Sequence, residues 1–351
     1  MRVEKPGYIG GAAGPTDRNH FRRIAKIVAK EGAIITTHDT PDVDGLGGAY
    51  ALKRHLEKPG APVDIVTGRT THLTDPLVER LGMALKGWRD ISASDARPLI
   101  VVDTGTPSLL TGCKKTDVLA VIDHHLVNNP PLEARMKIVR KAVAGCQIIA
   151  SLIPAEAIDP EMALALAVGI AGDSEKLNDV DKDTLPLFER LAAICGEDKK
   201  TLDLLAYPPL GAHDLKVILD EMRYIRTEIY RDRLIAIGES CLENPAIMAS
   251  MLRDMNVSVT AILCEVGSGQ TADENVYKVS YRVRNQDAGQ GVYASDIARE
   301  TSRKCGMPEN MLGGGHRDKA GAVVRGTYDR LVQIILETAK EAMDRALGQK
   351  V

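Results

Sequence analysis

Two kinds of hydrophobic pattern alternate along the first half of the chain. Short, unbroken apolar runs are followed by segments whose apolar positions recur every three to four residues. The stretch "DRNHFRRIAKIVAKEG" (17–32) has helical spacing, with Asp17 able to cap its start and Gly32 to stop it. "AIITT" (33–37) is then a strand ending at His38, and a helix resumes near Gly45 through "LGGAYALKRHL". "VDIVT" (63–67), "PLIVVD" (98–103) and "DVLAVIDHH" (117–125) read as further strands, "KIVR" (137–140) as another short one, and "DPLVERLGMAL" (75–85) as a helix. Strands alternating with helices predict a doubly wound, mainly parallel sheet, and unbroken apolar runs suit strands covered on both faces.

From about Ala144 to Arg231 the pattern is helical: "GCQIIASLI", "PEMALALAVGIAGD", "TLPLFERLAAIC" and "HDLKVILDEMRYIRTEIY", interrupted at Pro208-Pro209. The last of these reads as a connector. Beyond it "RLIAIGES", "VSVTAILCEV" and "VYKVSYRVR" are strand-like, "YASDIARETSRKCG" and "YDRLVQIILETAKEAMDRAL" helix-like, and "GGGHRDKAGAVVRG" a glycine turn entering a strand. The expected organisation is a catalytic α/β domain over 1–207, a helical linker over 208–231 and a smaller α/β domain over 232–351.

Composition narrows the function classes. With 44% apolar residues in 351, the chain is long enough for two cores, and a net charge of −3 argues against a dedicated duplex-DNA binder. Aromatics at 3% leave little for stacking long single strands. The six cysteines are scattered without a C-x-x-C pair, which fits buried thiols of a reducing compartment. No stretch is apolar enough for a membrane span, and the N-terminal segment lacks the apolar middle of a signal peptide, so a cytoplasmic location is expected.

The candidate chemistry sits where apolar runs end. "HDTPDVDGLGG" places His38, Asp42 and Asp44 in a turn between strand and helix, with Pro41 keeping Thr40 out of a helical conformation. Asp103 ends the next strong run, Asp123, His124 and His125 the one after, and Asp173 closes "LALAVGIAGD". In parallel α/β sheets such ends gather in one crevice. Five carboxylates (Asp42, Asp44, Asp103, Asp123, Asp173) in one desolvated crevice would repel unless cations balanced them. Two divalent ions meet that need. Oxygen ligands with two or three imidazoles suit manganese, and less well magnesium, cobalt or zinc.

In order and spacing, "HDTPDVD", "VVDTG", "VIDHH" and "GIAGD" resemble the four motifs of the DHH phosphoesterase superfamily. "YRVRN" with "GGGHRDKAG" resembles its C-terminal DHHA1 substrate-binding domain. The resemblance spans nearly the whole chain. It implies that His38, Asp42 and Asp103 hold one metal, and that Asp44, Asp103, His124 and Asp173 hold the other, with Asp103 bridging. Asp123 would orient a histidine, and His125 would face the scissile phosphate to stabilise its charge or protonate the leaving oxygen. Arg282, Arg284 and His316 would grip a second phosphate, the two arginines sharing a strand face by period two. Gly313, Gly314 and Gly315 would present N–H groups as an anion nest. The chain departs from the family pattern in "GDSEKLND" after the fourth motif and in Lys319, where a small residue is usual.

The resemblance thus implies a two-manganese hydrolase that attacks phosphoester bonds of short oligoribonucleotides or of a nucleoside 3′,5′-bisphosphate with a metal-bridging hydroxide. A cyclic di-AMP or linear dinucleotide phosphodiesterase is the near alternative. A RecJ-like exonuclease, an inorganic pyrophosphatase and a non-catalytic nucleotide-binding protein are the others. A homodimer is a family-level expectation.

Overall fold

The computed structural model describes residues 12–348 apart from positions 111, 114, 116, 126–130, 179, 243 and 269–274. Most of the N-terminal lead read for a signal peptide, and Asp179 of the unusual segment after Asp173, lie outside the described residues. The chain divides into two compact units, Met1–Pro209 and Leu210–Val351.

In the first unit the elements run α1 (Pro15–Glu31), β1 (Ala33–Thr36), α2 (Val43–Leu56), β2 (Val63–Val66), α3 (Asp75–Leu81), β3 (Leu85–Lys86), β4 (Leu99–Val102), β5 (Val118–Asp123), β6 (Met136–Val139), α4 (Gly145–Leu152), α5 (Pro160–Asp173), α6 (Thr184–Cys195) and α7 (Lys199–Ala206). All six strands are parallel, in the order β3-β2-β1-β4-β5-β6. The order reverses between β1 and β4, the doubly wound signature. Helices nonetheless cover mainly one face. Ile35, Ile65, Ile100 and Ile122 pack with residues of α1, α2, α4 and α5, whereas Ile34, Val101 and Val121 meet Trp88, Ile91, Leu110 and Leu132. Those partners come from loops and short 3-10 turns: among the described residues the β3–β4 and β4–β5 connections carry no α-helix, and Leu132 lies between β5 and β6.

Helix α2 owes its position to its glycines. A Cβ on Gly47 would lie 2.4 Å from the Ala165 carbonyl oxygen of α5, and one on Gly48 2.6 Å from Ile149 of α4. Glycine costs helix stability, but here it lets three helices close on one another and brings the start of α2 to the end of α5. Gly47→Ala is expected to destabilise the protein by about 1–3 kcal/mol, read as a lower urea midpoint, because the obstacle is main chain.

The second unit contains α8 (Ala212–Glu221), β7 (Arg226–Tyr230), β8 (Arg233–Glu239), α9 (Ala246–Asp254), β9 (Val259–Ser268), β10 (Asn275–Val283), α10 (Asn285–Gly289), α11 (Ala294–Lys304), β11 (Gly314–Gly315), β12 (Lys319–Gly326) and α12 (Tyr328–Leu347). The sheet order is β11-β12-β10-β9-β8-β7, with only the β8–β9 pair parallel. Helices α11 and α12 pack on one face, α8 and α9 on the other.

The expectation of a single connecting helix through Tyr230 is corrected here. Helix α8 ends at Glu221, and Arg226–Tyr230 pairs with β8 as a strand. Thr227, Ile229 and Tyr230 suit a strand. The two-residue turn Arg231-Asp232 has positive φ at both positions (47° and 59°), as a type I′ hairpin needs. The usual Asn-Gly signal is missing, so the sequence hid the hairpin. The expected linker therefore contributes α8 and β7 to the second unit.

Candidate metal centre

The carboxylates and histidines of the first unit stand at the C-terminal ends of β1, β4 and β5, beside the point where strand order reverses. That is where open α/β sheets leave a crevice for ligands. His38 follows β1. Asp42 caps α2, its Oδ1 accepting the Gly45 N–H at 2.9 Å, and Asp44 lies in the first turn. Asp103 follows β4, and Asp123 ends β5, ahead of His124 and His125. Asp173 arrives differently, as the last residue of helix α5. A carboxylate at that end of a helix opposes the helix dipole, so its presence calls for positive charge nearby.

Among the groups of possible ligand atoms lying within 4.8 Å of one another, two coincide with the expected sets: His38, Asp42 and Asp103; and Asp44, Asp103, His124 and Asp173; Asp103 also groups with Asp123 and His125. Asp103 belongs to both expected sets. Its Oδ2 lies 3.8 Å from His38 Nε2 and its Oδ1 lies 3.2 Å from His124 Nε2. His124 Nε2 is also 3.1 Å from Asp173 Oδ2, and His38 Nε2 is 3.7 Å from Asp42 Oδ2. The second group is the more enclosed: Asp44, Asp103 and His124 are buried, while the Asp42 side chain is about half exposed at 49%.

The donor set passes a chemical test for a cation. His124 Nδ1 lies 3.2 Å from the Ala142 carbonyl oxygen, which fixes the N–H there in a neutral ring. Its Nε2 lone pair then faces two carboxylates, so a proton or a metal ion must sit between them. Asp103 Oδ1 is buried without a hydrogen-bond donor in good geometry. Asp103 also adopts a left-handed backbone conformation, φ 60°, which costs a non-glycine residue on the order of 1 kcal/mol and marks functional positions.

The protein's own electrostatics agree. Burial, then the charges of Asp42 and Asp44, raises the Asp103 pKa well above the usual carboxylate value. Burial and the Asp173 charge likewise raise Asp44. Burial disfavours a charged His124, but the nearby carboxylates of Asp103 and Asp173 prevail and raise its pKa well above the imidazole norm. Burial also pushes Asp42 upward, yet the hydrogen bond and charge of His38 leave it lowered.

Asp123 is fully buried and serves His125: its Oδ1 accepts the His125 main-chain N–H at 3.0 Å and faces Nδ1 at 2.8 Å. Burial opposes its charge, but the His125 bonds win and lower its pKa.

In the second unit Arg282 Nε donates to Ser250 Oγ of α9 at 3.1 Å, and Lys319 stands opposite it across the β10–β12 pair. The expected period-two pairing of Arg282 with Arg284 fails, because β10 ends at Val283. Arg284 bends to donate to Asp287 Oδ2 (2.8 Å) and Asn256 Oδ1 (2.9 Å). Asp287 is fully buried and also takes Arg233 at 2.8 Å, so Arg284 is part of a buried ion-pair cluster. The three glycines of "GGGH" differ. Gly313 gives its N–H to Ser302 Oγ at 3.0 Å, so it does not offer it to an anion, and a Cβ there would meet Ala298 and Ala322 at 2.8 Å. Gly315 has φ 143°, which requires glycine, and Gly314 faces open space. The His316 N–H donates to the Lys319 carbonyl at 2.7 Å.

Sequence reasoning missed the groups that hold Asp44. Its Oδ2 accepts the Gly145 N–H at 2.6 Å and its Oδ1 the Cys146 N–H at 2.9 Å. Main-chain donors at the start of an apolar helix leave no mark in a residue pattern.

Residues 33–170 match the family model for the DHH family, N-terminal domain. The matched stretch lies within the first unit. A curated relative, an uncharacterized protein (MJ1633) of Methanocaldococcus jannaschii, is 27% identical over 247 residues, covering 68% of this chain. The match covers only 50% of that relative, so the chain spans about half the length of the curated protein it matches. Among solved structures, an exopolyphosphatase-related protein from Bacteroides fragilis aligns with TM-score 0.72 at 15% identity, covering 94% of this chain and 98% of that one. The DHH domain of a member of a family of ribosomal proteins aligns with TM-score 0.61 at 13% identity, covering 96% and 94%. These likenesses concern the fold. Among the described residues, no helix is long and apolar enough to cross a membrane.

Proposed function

We propose that this chain is a two-cation phosphoesterase of the DHH family that hydrolyses short oligoribonucleotides or a nucleoside 3′,5′-bisphosphate. The observation that carries the reading is Asp103, a buried carboxylate shared by two ligand groups. His38 and Asp42 complete one group; Asp44, His124 and Asp173 complete the other. Their oxygen and imidazole donors suit manganese. A pair of such cations would supply Lewis acidity, activating water and neutralising charge on the phosphoryl oxygens.

The protein's residues supply the rest. Asp123 fixes the His125 tautomer by accepting from Nδ1–H, so Nε2 is the atom that handles the proton of the leaving oxygen or steadies charge on the phosphate. In the second unit Arg282, Gly314 and His316 are the groups we assign to phosphate binding. Arg284 contributes by holding Asp287 in place.

Product analysis with Mn²⁺, resolving released mononucleotides as well as inorganic phosphate, on di- to pentaribonucleotides, 3′-phosphoadenosine 5′-phosphate, cyclic di-AMP, pyrophosphate and polyphosphate tests the proposal. Polyphosphate belongs in the panel because the Bacteroides fragilis neighbour is exopolyphosphatase-related. No hydrolysis of any of the nucleotide substrates would overturn it. His125→Ala should lower kcat by about 10²–10⁴-fold while leaving bound manganese unchanged, measured by steady-state kinetics beside metal analysis.

A further inference from the structure

Helix α4 carries one long polar side chain in an otherwise apolar element. Gln147 is buried, at 1% exposure, and burying an amide is costly unless its hydrogen bonds are made. Both ends of the amide are used. Oε1 accepts the Val143 N–H at 3.0 Å, and Nε2 donates to Asp181 Oδ1 at 3.2 Å. Asp181 is itself anchored at the start of α6, accepting from the main-chain N–H of Thr184 (2.9 Å) and its hydroxyl (2.6 Å). Gln147 thus ties the approach to α4 to a fixed point on a neighbouring helix.

The tied segment is the one that holds two of the proposed metal ligands. The Ala142 carbonyl faces His124 Nδ1 at 3.2 Å, and the Gly145 and Cys146 N–H groups bind the two oxygens of Asp44. The Cys146 thiol adds a contact to the Asp44 carbonyl oxygen at 3.3 Å. Residues 142–146 therefore orient a histidine from the β5 end and a carboxylate from α2 at once. Cys146 and Gly145 reach Asp44 through main chain, so the side chain that sets their position is Gln147.

We propose that Gln147 is a positioning residue of the metal centre: by tying Val143 to Asp181 it fixes the segment whose main chain orients both His124 and Asp44. The inference rests on the ligand assignment proposed above. It touches no cation and no substrate directly, so its effect should appear first in metal binding.

The test titrates metal-free, full-length protein with Mn²⁺ by calorimetry and follows thermal unfolding with and without the ion. Gln147→Met keeps the volume and removes both hydrogen bonds. Asp181→Ala cuts the far anchor at a less buried position. The pair Gln147→Glu with Asp181→Asn reverses the bond between the two side chains: the new amide nitrogen takes the Oδ2 place, 3.4 Å from Gln147 Nε2, while the remaining oxygen keeps the Thr184 bonds. Gln147→Met and Asp181→Ala should each weaken Mn²⁺ binding by roughly 10–100-fold and shrink the Mn²⁺-induced rise in Tm, and the exchanged pair should restore most of both. A merely structural role would lower Tm equally with and without Mn²⁺ and leave affinity alone. Wild-type affinity in both weakened variants, or no rescue by the exchanged pair, overturns the inference. Failure of the wild-type protein to bind any divalent cation would instead overturn the metal-centre reading beneath it.

Discussion

Replacing Asp103 by asparagine is expected to remove catalysis and yet make the metal-free protein more stable. Activity should fall by at least roughly 10³-fold, because one carboxylate is common to both ligand groups and its loss weakens both cation sites together. Stability should move the other way. In the metal-free protein Asp103 is buried beside Asp42 and Asp44, whose charges push its pKa up. An amide at that position ends the repulsion and tolerates the left-handed backbone at φ 60° better than most residues. A gain of about 1–3 kcal/mol is expected, visible as a higher Tm in the presence of a chelator. Mn²⁺ should no longer raise Tm. A variant whose metal-free Tm falls, or that still responds to Mn²⁺ as the wild type does, would contradict the shared role of this carboxylate.

The stabilisation conferred by Mn²⁺ should grow as pH rises from about 5 to about 8. Asp44, Asp103 and His124 all have raised pKa values in the metal-free protein. A group raised on folding contributes stability that is full below its unfolded pKa and is lost as pH rises through its folded pKa. For these three groups, metal-free stability therefore declines from the acid side upward. Asp42 and Asp123 are lowered and act oppositely, their contribution being lost only as pH falls through their folded values. The cations need the same groups without protons, so binding expels protons and tightens with pH. At a free concentration a hundredfold above Kd, one tightly bound ion adds about 2.7 kcal/mol. Thermal unfolding across that pH range, with and without Mn²⁺, measures the difference directly. Calorimetry in buffers of different ionisation enthalpy should show net proton release. A Mn²⁺ effect that is flat or declines with pH would count against these groups as ligands.

The sequence carried much of the fold because its physical signals are local. The runs at Leu99–Val102 and Val118–Asp123 are apolar at nearly every position and became buried parallel strands. The spacing in 160–173 and 328–347 gave α5 and α12 with the expected ends. Local signals failed where pairing decided the outcome. Arg226–Tyr230 has a composition that either helix or strand accepts, and the ladder to β8 made it a strand. Arg284 follows the alternation of β10 on paper, but the buried carboxylate of Asp287 draws it out of the strand.

What the chain settles on its own is which chemistry is available: histidines and aspartates placed after apolar runs, in the order of the DHH motifs, around residues 38–44, 103, 123–125 and 173. Tertiary structure alone decided how these groups meet. It set the distances between them and put the Ala142 carbonyl and the Gly145 and Cys146 amides behind His124 and Asp44. The reason is physical. A side chain's identity is written at its own position, whereas the main-chain groups that orient it belong to residues of any type and are selected only when the chain packs.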